Sequence, residues 1–179
     1  VQAGTVFRDQ KHAEGGRTQL SIGVLNASFS LGEDQSRRLW LEGEFAGYTG
    51  DSTWSQSILR PEPVEILAMG GVLRFGARSG FVEAVLEGGL ATGDDNSFDR
   101  EAHTFSFDRE YQVGLLMFSE VLRAHTAVGA AHVGDPTLRG EPPRGYDSLA
   151  SGGAIHNTVY INPRLGLTLR KKLTLALGY

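Results

Sequence analysis

The strongest constraint on the fold is a two-residue alternation that persists through unusually long runs. It is plainest in "VLRFGARSGFVEAVLEG", residues 72–88, where Arg74, Glu83 and Glu87 share one face while Leu73, Phe75, Val82, Ala84 and Leu86 share the other. Successive side chains of a strand point to opposite sides of a sheet, so this spacing sets an apolar face back to back with a charged one. A soluble sandwich covers such an apolar face with a second sheet. An outer-membrane barrel covers it with lipid and turns the charged face toward a wet interior.

Runs of this kind, bounded by Gly, Pro, Asp, Asn and Ser, predict strands at 1–8, 19–31, 37–48, 63–76, 81–92, 155–169 and 173–179. The complete interior runs reach 12 residues or more, beyond the ~5–6 of a typical soluble strand and enough for the ~9–11 that cross a bilayer. Connections alternate in length: loops at 9–18, 49–62 and 93–154 take turns with tight links at 32–36, 77–80 and 170–172. Outer-membrane barrels alternate in this way because one end closes in short turns and the other carries elaborated loops. The expected fold class is therefore all-β, an antiparallel transmembrane β-barrel. The chain would supply about seven strands of a larger barrel, because open edges are not tolerated in lipid and bacterial barrels have even strand numbers. Residues 1–179 then form part of a single barrel domain, with 93–154 as a long outward loop.

Strand pairing follows from the same pattern. With "ARSG" as the turn, Arg74 faces Glu83; with Leu31 opposite Arg37, Phe29 faces Leu39 and Asn26 faces Glu42. The apolar parity of "QLSIGVLNASFSLG" switches at Val24 and Leu25, which predicts a bulge or a different register there. Pro163 cannot donate to a ladder and predicts a bulge or an unpaired stretch in its strand.

The inward face would carry Glu42, Glu44, Arg74, Glu83 and Glu87, continued by Tyr160, Asn162, Arg164 and Thr168. Such a set is too polar for a dry core, so these residues are expected to line a hydrated lumen. Leu39, Leu41, Phe45, Leu73, Phe75, Leu86 and Leu90 face the other way, as do Val159, Ile161, Leu165, Leu167, Leu175 and Leu177, and would meet lipid. Tyr48, Phe75 and Tyr179 lie near strand ends, where aromatic girdles sit.

Composition excludes other classes. A net charge of -4 without any basic block argues against a nucleic-acid partner. There is no Cys, hence neither a disulfide framework nor a thiolate zinc site. No run approaches the ~20 apolar residues of a membrane helix. The start "VQAGTVF" lacks a basic region followed by an apolar stretch, so any secretion signal is expected to have been removed or to lie outside this sequence.

Loops longer than ~12–15 residues usually carry function, which draws attention to 93–154. "YQVGLLMFSEVLRAHTAVGAAHV" has the spacing of a short helix that folds into the lumen and narrows it; a strand at 111–118 partnered by 124–133 is the alternative. Asp94, Asp95 and Asp99, with Asn96 and Ser97, offer oxygen ligands for a structural calcium, although the spacing lacks the Gly and terminal Glu of an EF-hand. A solvated acidic loop explains them as well, and no other cofactor is expected. His103, His125, His132 and His156 stand in no catalytic signature, and the Ser of "GARSGF" is explained by turn chemistry, so no enzyme is expected.

"ATGDDNSFDREAHTFSFDREYQVGLLMF", followed by a long loop and "NTVYINPRLGLTL", resembles the alginate-export type of outer-membrane porin over the second half of the chain. The resemblance implies a many-stranded barrel in the bacterial outer membrane that passes a hydrophilic carbohydrate or exopolysaccharide. The lumen in that family is rich in Arg and Lys, whereas the face inferred here mixes Glu with Arg, which leaves neutral or small hydrophilic solutes open. The expected function is passive passage or export of such solutes, with the bilayer, the solute and other envelope proteins as partners. The alternatives are a structural or assembly barrel with a plugged lumen and a soluble all-β carbohydrate-binding domain.

Overall fold

The structure, a computed structural model, describes residues 1–13, 15–34, 37–53, 62–94, 99–114, 117–134, 154–169 and 173–178. The chain climbs up and down a single sheet: β1 (Gln2–Lys11), β2 (Arg17–Asp34), β3 (Arg37–Ser52), β4 (Val64–Ser79) and β5 (Val82–Ala91). A two-residue β6 (Glu101–Ala102) pairs in parallel with Glu65 and Ile66 of β4. A π-helical turn (Met117–Leu122) then runs into α1 (Arg123–Gly134), where the sequence predicted a short helix, and the alternative strand pair does not form. β7 (Thr158–Leu169) and β8 (Leu173–Gly178) complete the order β1-β2-β3-β4-β5-β7-β8, each antiparallel to its neighbour. The fold is all-β and the sheet is open, with β1 and β8 at its edges.

Two ladders differ from the pairing expected from the sequence. Arg74 faces Glu87, not Glu83, and Glu83 faces Arg78. Leu31 faces Leu39, Phe29 faces Leu41 and Asn26 faces Glu44. Both displacements are even, so every side chain keeps its face; a period of two fixes the face but tolerates a slip of two or four residues. The β4–β5 slip has a local cause. Gly80, at φ 59°, begins a two-residue turn with Phe81, a left-handed conformation that glycine adopts without steric cost. Ala77–Ser79 therefore extend the strand instead of turning.

Neither predicted bulge forms. Val24 and Leu25 lie in unbroken register with Ala46 and Phe45, and the irregularity in β2 falls between Leu31 and Asp34. The parity switch instead places Leu20, Ile22 and Val24 on the face that carries Glu42 and Arg74, making the loop-side half of that face apolar. Pro163 pairs with Leu86 in a continuous ladder to β5; on the β8 side the register places it opposite Tyr179, which lies outside the described residues.

The two faces differ in cover. On one, Phe7, Phe29, Phe45 and Phe75 are 45% to 66% exposed, and Leu73, Leu86, Ile161 and Leu177 are exposed beside them. At ~200 Å² per ring, the four phenylalanines alone present roughly 400 Å² of apolar surface, already the size of the largest patch on a typical soluble monomer. On the other face lies the core, where Phe107, Val113, Phe118 and Ile155 pack against Ala91. The segment after β6 folds back over the polar side of the sheet and builds that core.

Candidate functional site

Glu87 sits mid-strand in β5 with an arginine within reach on each side. Arg74 is its direct partner on β4, and Arg164 stands diagonal to it on β7, a spacing long side chains bridge. Arg74 Nε and Nη2 donate to Glu87 Oε2 at 2.8 and 2.7 Å, and Arg164 Nη2 donates to the same oxygen at 3.0 Å. Arg74 also reaches Glu42 at 3.5 Å. Glu87 is 2% exposed. A carboxylate removed from water this far is costly unless its oxygens are filled, and here two guanidinium groups occupy one oxygen while tyrosines occupy the other.

The Tyr111 hydroxyl donates to Glu87 Oε1 at 2.9 Å; the Tyr160 hydroxyl lies 2.8 Å from Tyr111 Oη and 3.2 Å from the same carboxylate oxygen. Tyr111 belongs to the inserted segment, so this junction ties that segment to the sheet wall. Around it the rings of Phe107, Tyr111, Phe118 and Tyr160 meet at centroid distances of 5.0 to 6.2 Å in stacked, tilted and edge-on pairs, separations at which aromatic pairs attract. Farther along, Phe105 stacks on Tyr48 at 5.9 Å, and the Tyr48 hydroxyl donates to the Thr104 carbonyl at 2.6 Å.

The wall is shaped to receive the segment. A Cβ on Gly70 would lie 2.3 Å from the Phe105 ring, so the ring seats directly on backbone. Backbone bonds add to the seat: Phe105 N–H donates to the Thr92 carbonyl and Phe107 N–H to the Ile155 carbonyl. A similar glycine contact recurs nearer the short turns, where Trp40 covers Gly76 and the Arg38 guanidinium lies 5.6 Å over the indole.

The expected lumen residues all share this face, but their surroundings diverge. Glu44 is exposed, Glu42 is half-buried, and Glu83 takes the Arg78 Nε hydrogen bond at 2.7 Å. Glu87 and Asn162 are shut beneath the inserted segment, Tyr160 is part of the aromatic cluster, and Arg164 spans from solvent to Glu87. Tyr48, expected at an outward girdle, points to the polar side and is used for docking; Tyr179 lies outside the described residues.

Of the calcium candidates, Asp99 Oδ1 accepts the Glu101 N–H at 2.9 Å, a turn-closing bond, and Asp94 is described without a ligand cluster around it. Asp95, Asn96 and Ser97 lie outside the described residues, and among the described residues no three His, Asp or Glu side chains converge on a metal position. His103 faces two acceptors, the Leu67 carbonyl at 2.9 Å and Glu101 at 3.0 Å, which hold its pKa above the ordinary imidazole value. Burial holds His156 below it. His125 lies on α1, exposed, and His132 is also on α1.

The residues that sequence reading missed are Phe105, Phe107, Tyr111 and Gly70. Their signal is present in "HTFSFDREY", where two phenylalanines alternate with polar residues inside a loop, and in the apolar half-face of β2. Neither names its partner without the register. Compared with protein-family models, with curated proteins and with solved structures, the chain finds no match in any of the three.

Proposed function

We propose that the chain forms part of an outer-membrane β-barrel that passes hydrophilic solutes. One observation carries this reading: the uncovered face of the sheet is the apolar one, while the charged face is the one the chain folds toward. The apolar stretch has the right height. On β4 the outward residues from Leu67 to Ala77 lie between Glu65 and Ser79; ten residue steps of ~3.3 Å, tilted by ~40°, give roughly the 25 Å of an outer-membrane apolar band. On β3 the band ends at Arg37 on one side and Asp51 on the other.

The open edges of β1 and β8 fit this reading only with further strands beside them, from the same polypeptide or from other chains, because lipid offers no partner to an unpaired backbone group. Among Glu42, Glu44, Arg74, Glu83 and Arg164 around the bore, carboxylates outnumber guanidinium groups three to two, a mixed charge that suits a neutral or small hydrophilic solute, carbohydrate included. The resemblance to alginate-export porins agrees with a wide barrel. The inserted segment favours a second reading, a barrel whose lumen is plugged and whose outer loops bind an envelope partner.

Reconstitution into planar bilayers separates the two. The channel reading expects stepwise ionic conductance together with a folded band that migrates differently before and after boiling. Near-zero conductance from the folded protein favours the plug, and a folded, detergent-free soluble monomer overturns both.

A further inference from the structure

We propose that the Asp108–Tyr111 turn is a charge filter, pinned at Tyr111 to Glu87, that makes the passage prefer cations and neutral solutes to anions. The inference rests on the channel reading above. It begins with the difference between the two ends of the inserted segment. Its base is fixed: Phe107 and Val113 are buried, Phe105 seats on Gly70, and the Tyr111 hydroxyl is held by Glu87. Its tip is a closed turn in which Tyr111 N–H donates to the Asp108 carbonyl at 3.1 Å and Glu110 N–H to Asp108 Oδ1 at 2.7 Å. Asp108, Arg109 and Glu110 are exposed on that tip. A rigid base therefore presents two carboxylates and one guanidinium on the side away from the wall.

The wall behind the tip does not offset this charge. Arg74 and Arg164 together face two carboxylates, Glu87 and the more distant Glu42, and Arg78 faces Glu83, so these groups sum to zero. Arg8 lies near the loop end of β1 and Arg38 near the turn end of β3, so neither stands beside the segment at mid-strand. Glu44 is exposed, and among the described residues it has no ion-pair partner. Carboxylates held in a narrow passage raise the local cation concentration and repel anions. Filtering of this sign admits neutral sugars and disfavours a polyanion.

The test uses the intact protein in planar bilayers under a KCl gradient, reading the zero-current potential and the step conductance. Wild type is expected to show the sign of cation preference. Asp108→Asn with Glu110→Gln, at exposed positions that leave folding intact, should bring the potential to zero or reverse it at unchanged step size. Tyr111→Phe removes the pin and should broaden and raise the steps. Anion preference in wild type, or a potential unmoved in the doubly neutralised protein, overturns the filter while the channel stands. Step sizes unchanged in Tyr111→Phe overturn the pin. A wild type that folds but passes no current defeats the channel reading itself.

Discussion

The two faces of one sheet are treated in opposite ways. Phenylalanines and leucines stand bare on the first, whereas on the second a carboxylate and an asparagine are sealed beneath folded chain. In water the order runs the other way, with apolar groups inside and charges out. The difference teaches that the chain spends its own covering segment on the polar face and leaves the apolar face to be covered by something else. Under the barrel reading that covering is acyl chain, and each face then matches its surroundings.

The contrast can be broken most severely at Leu73, 58% exposed near the middle of the apolar band. Under the barrel reading, Leu73→Arg should destabilise the membrane-inserted state by ~2–4 kcal/mol, read as a lower urea midpoint for folding into liposomes, with a smaller cost at Leu86 nearer the band's edge; an unchanged midpoint would assign the face wrongly. Glu87→Gln attacks the opposite side. It leaves Arg74 and Arg164 without their shared carboxylate, and a loss of about 2 kcal/mol is expected, the usual scale for charged hydrogen bonds, with the inserted segment becoming open to protease. Gly70→Ala should cost ~1–2 kcal/mol through overpacking against Phe105, and Phe105→Leu in the same chain should recover part of it.

Smaller effects sharpen the comparison. Glu83→Gln removes a partly exposed pair with Arg78 and should change stability by less than ~0.5 kcal/mol, yet free a guanidinium on the polar face and, under the channel reading, shift conductance toward anions. The smallest effect concerns pH. His103 is raised above its unfolded value, so its contribution is complete below about pH 6.5 and is lost as pH rises through the folded value. Burial lowers His156, so that group opposes docking as pH falls through the ordinary imidazole range. Hydrogen exchange at 101–104 should therefore accelerate above the imidazole range, and His103→Gln should abolish that part of the profile.

The faces of the sheet were legible because alternation is a local property: Leu73 and Arg74 disagree whatever stands beside them. Register was not, because Arg74 finds a carboxylate at either Glu83 or Glu87, and only the positive φ of Gly80 decides between them. Val24 read as a defect because a polar face was assumed polar throughout, when its loop-side half is apolar and receives Phe105. The junction at Glu87 depends on residues from β4, β5, β7 and the inserted segment, 37 positions apart between Arg74 and Tyr111 alone, and no local period encodes a meeting of that kind. The helix at 123–134 was legible from spacing, but its neighbour's seat on the wall was not.

Gly70 and Phe105 fit as a mould fits a casting, with no room for even one added carbon. Neither position can drift alone across related chains: a side chain gained at 70 demands bulk surrendered at 105. Paired change at these two sites, with Gly retained wherever Phe persists, is the evolutionary trace that this contact should leave.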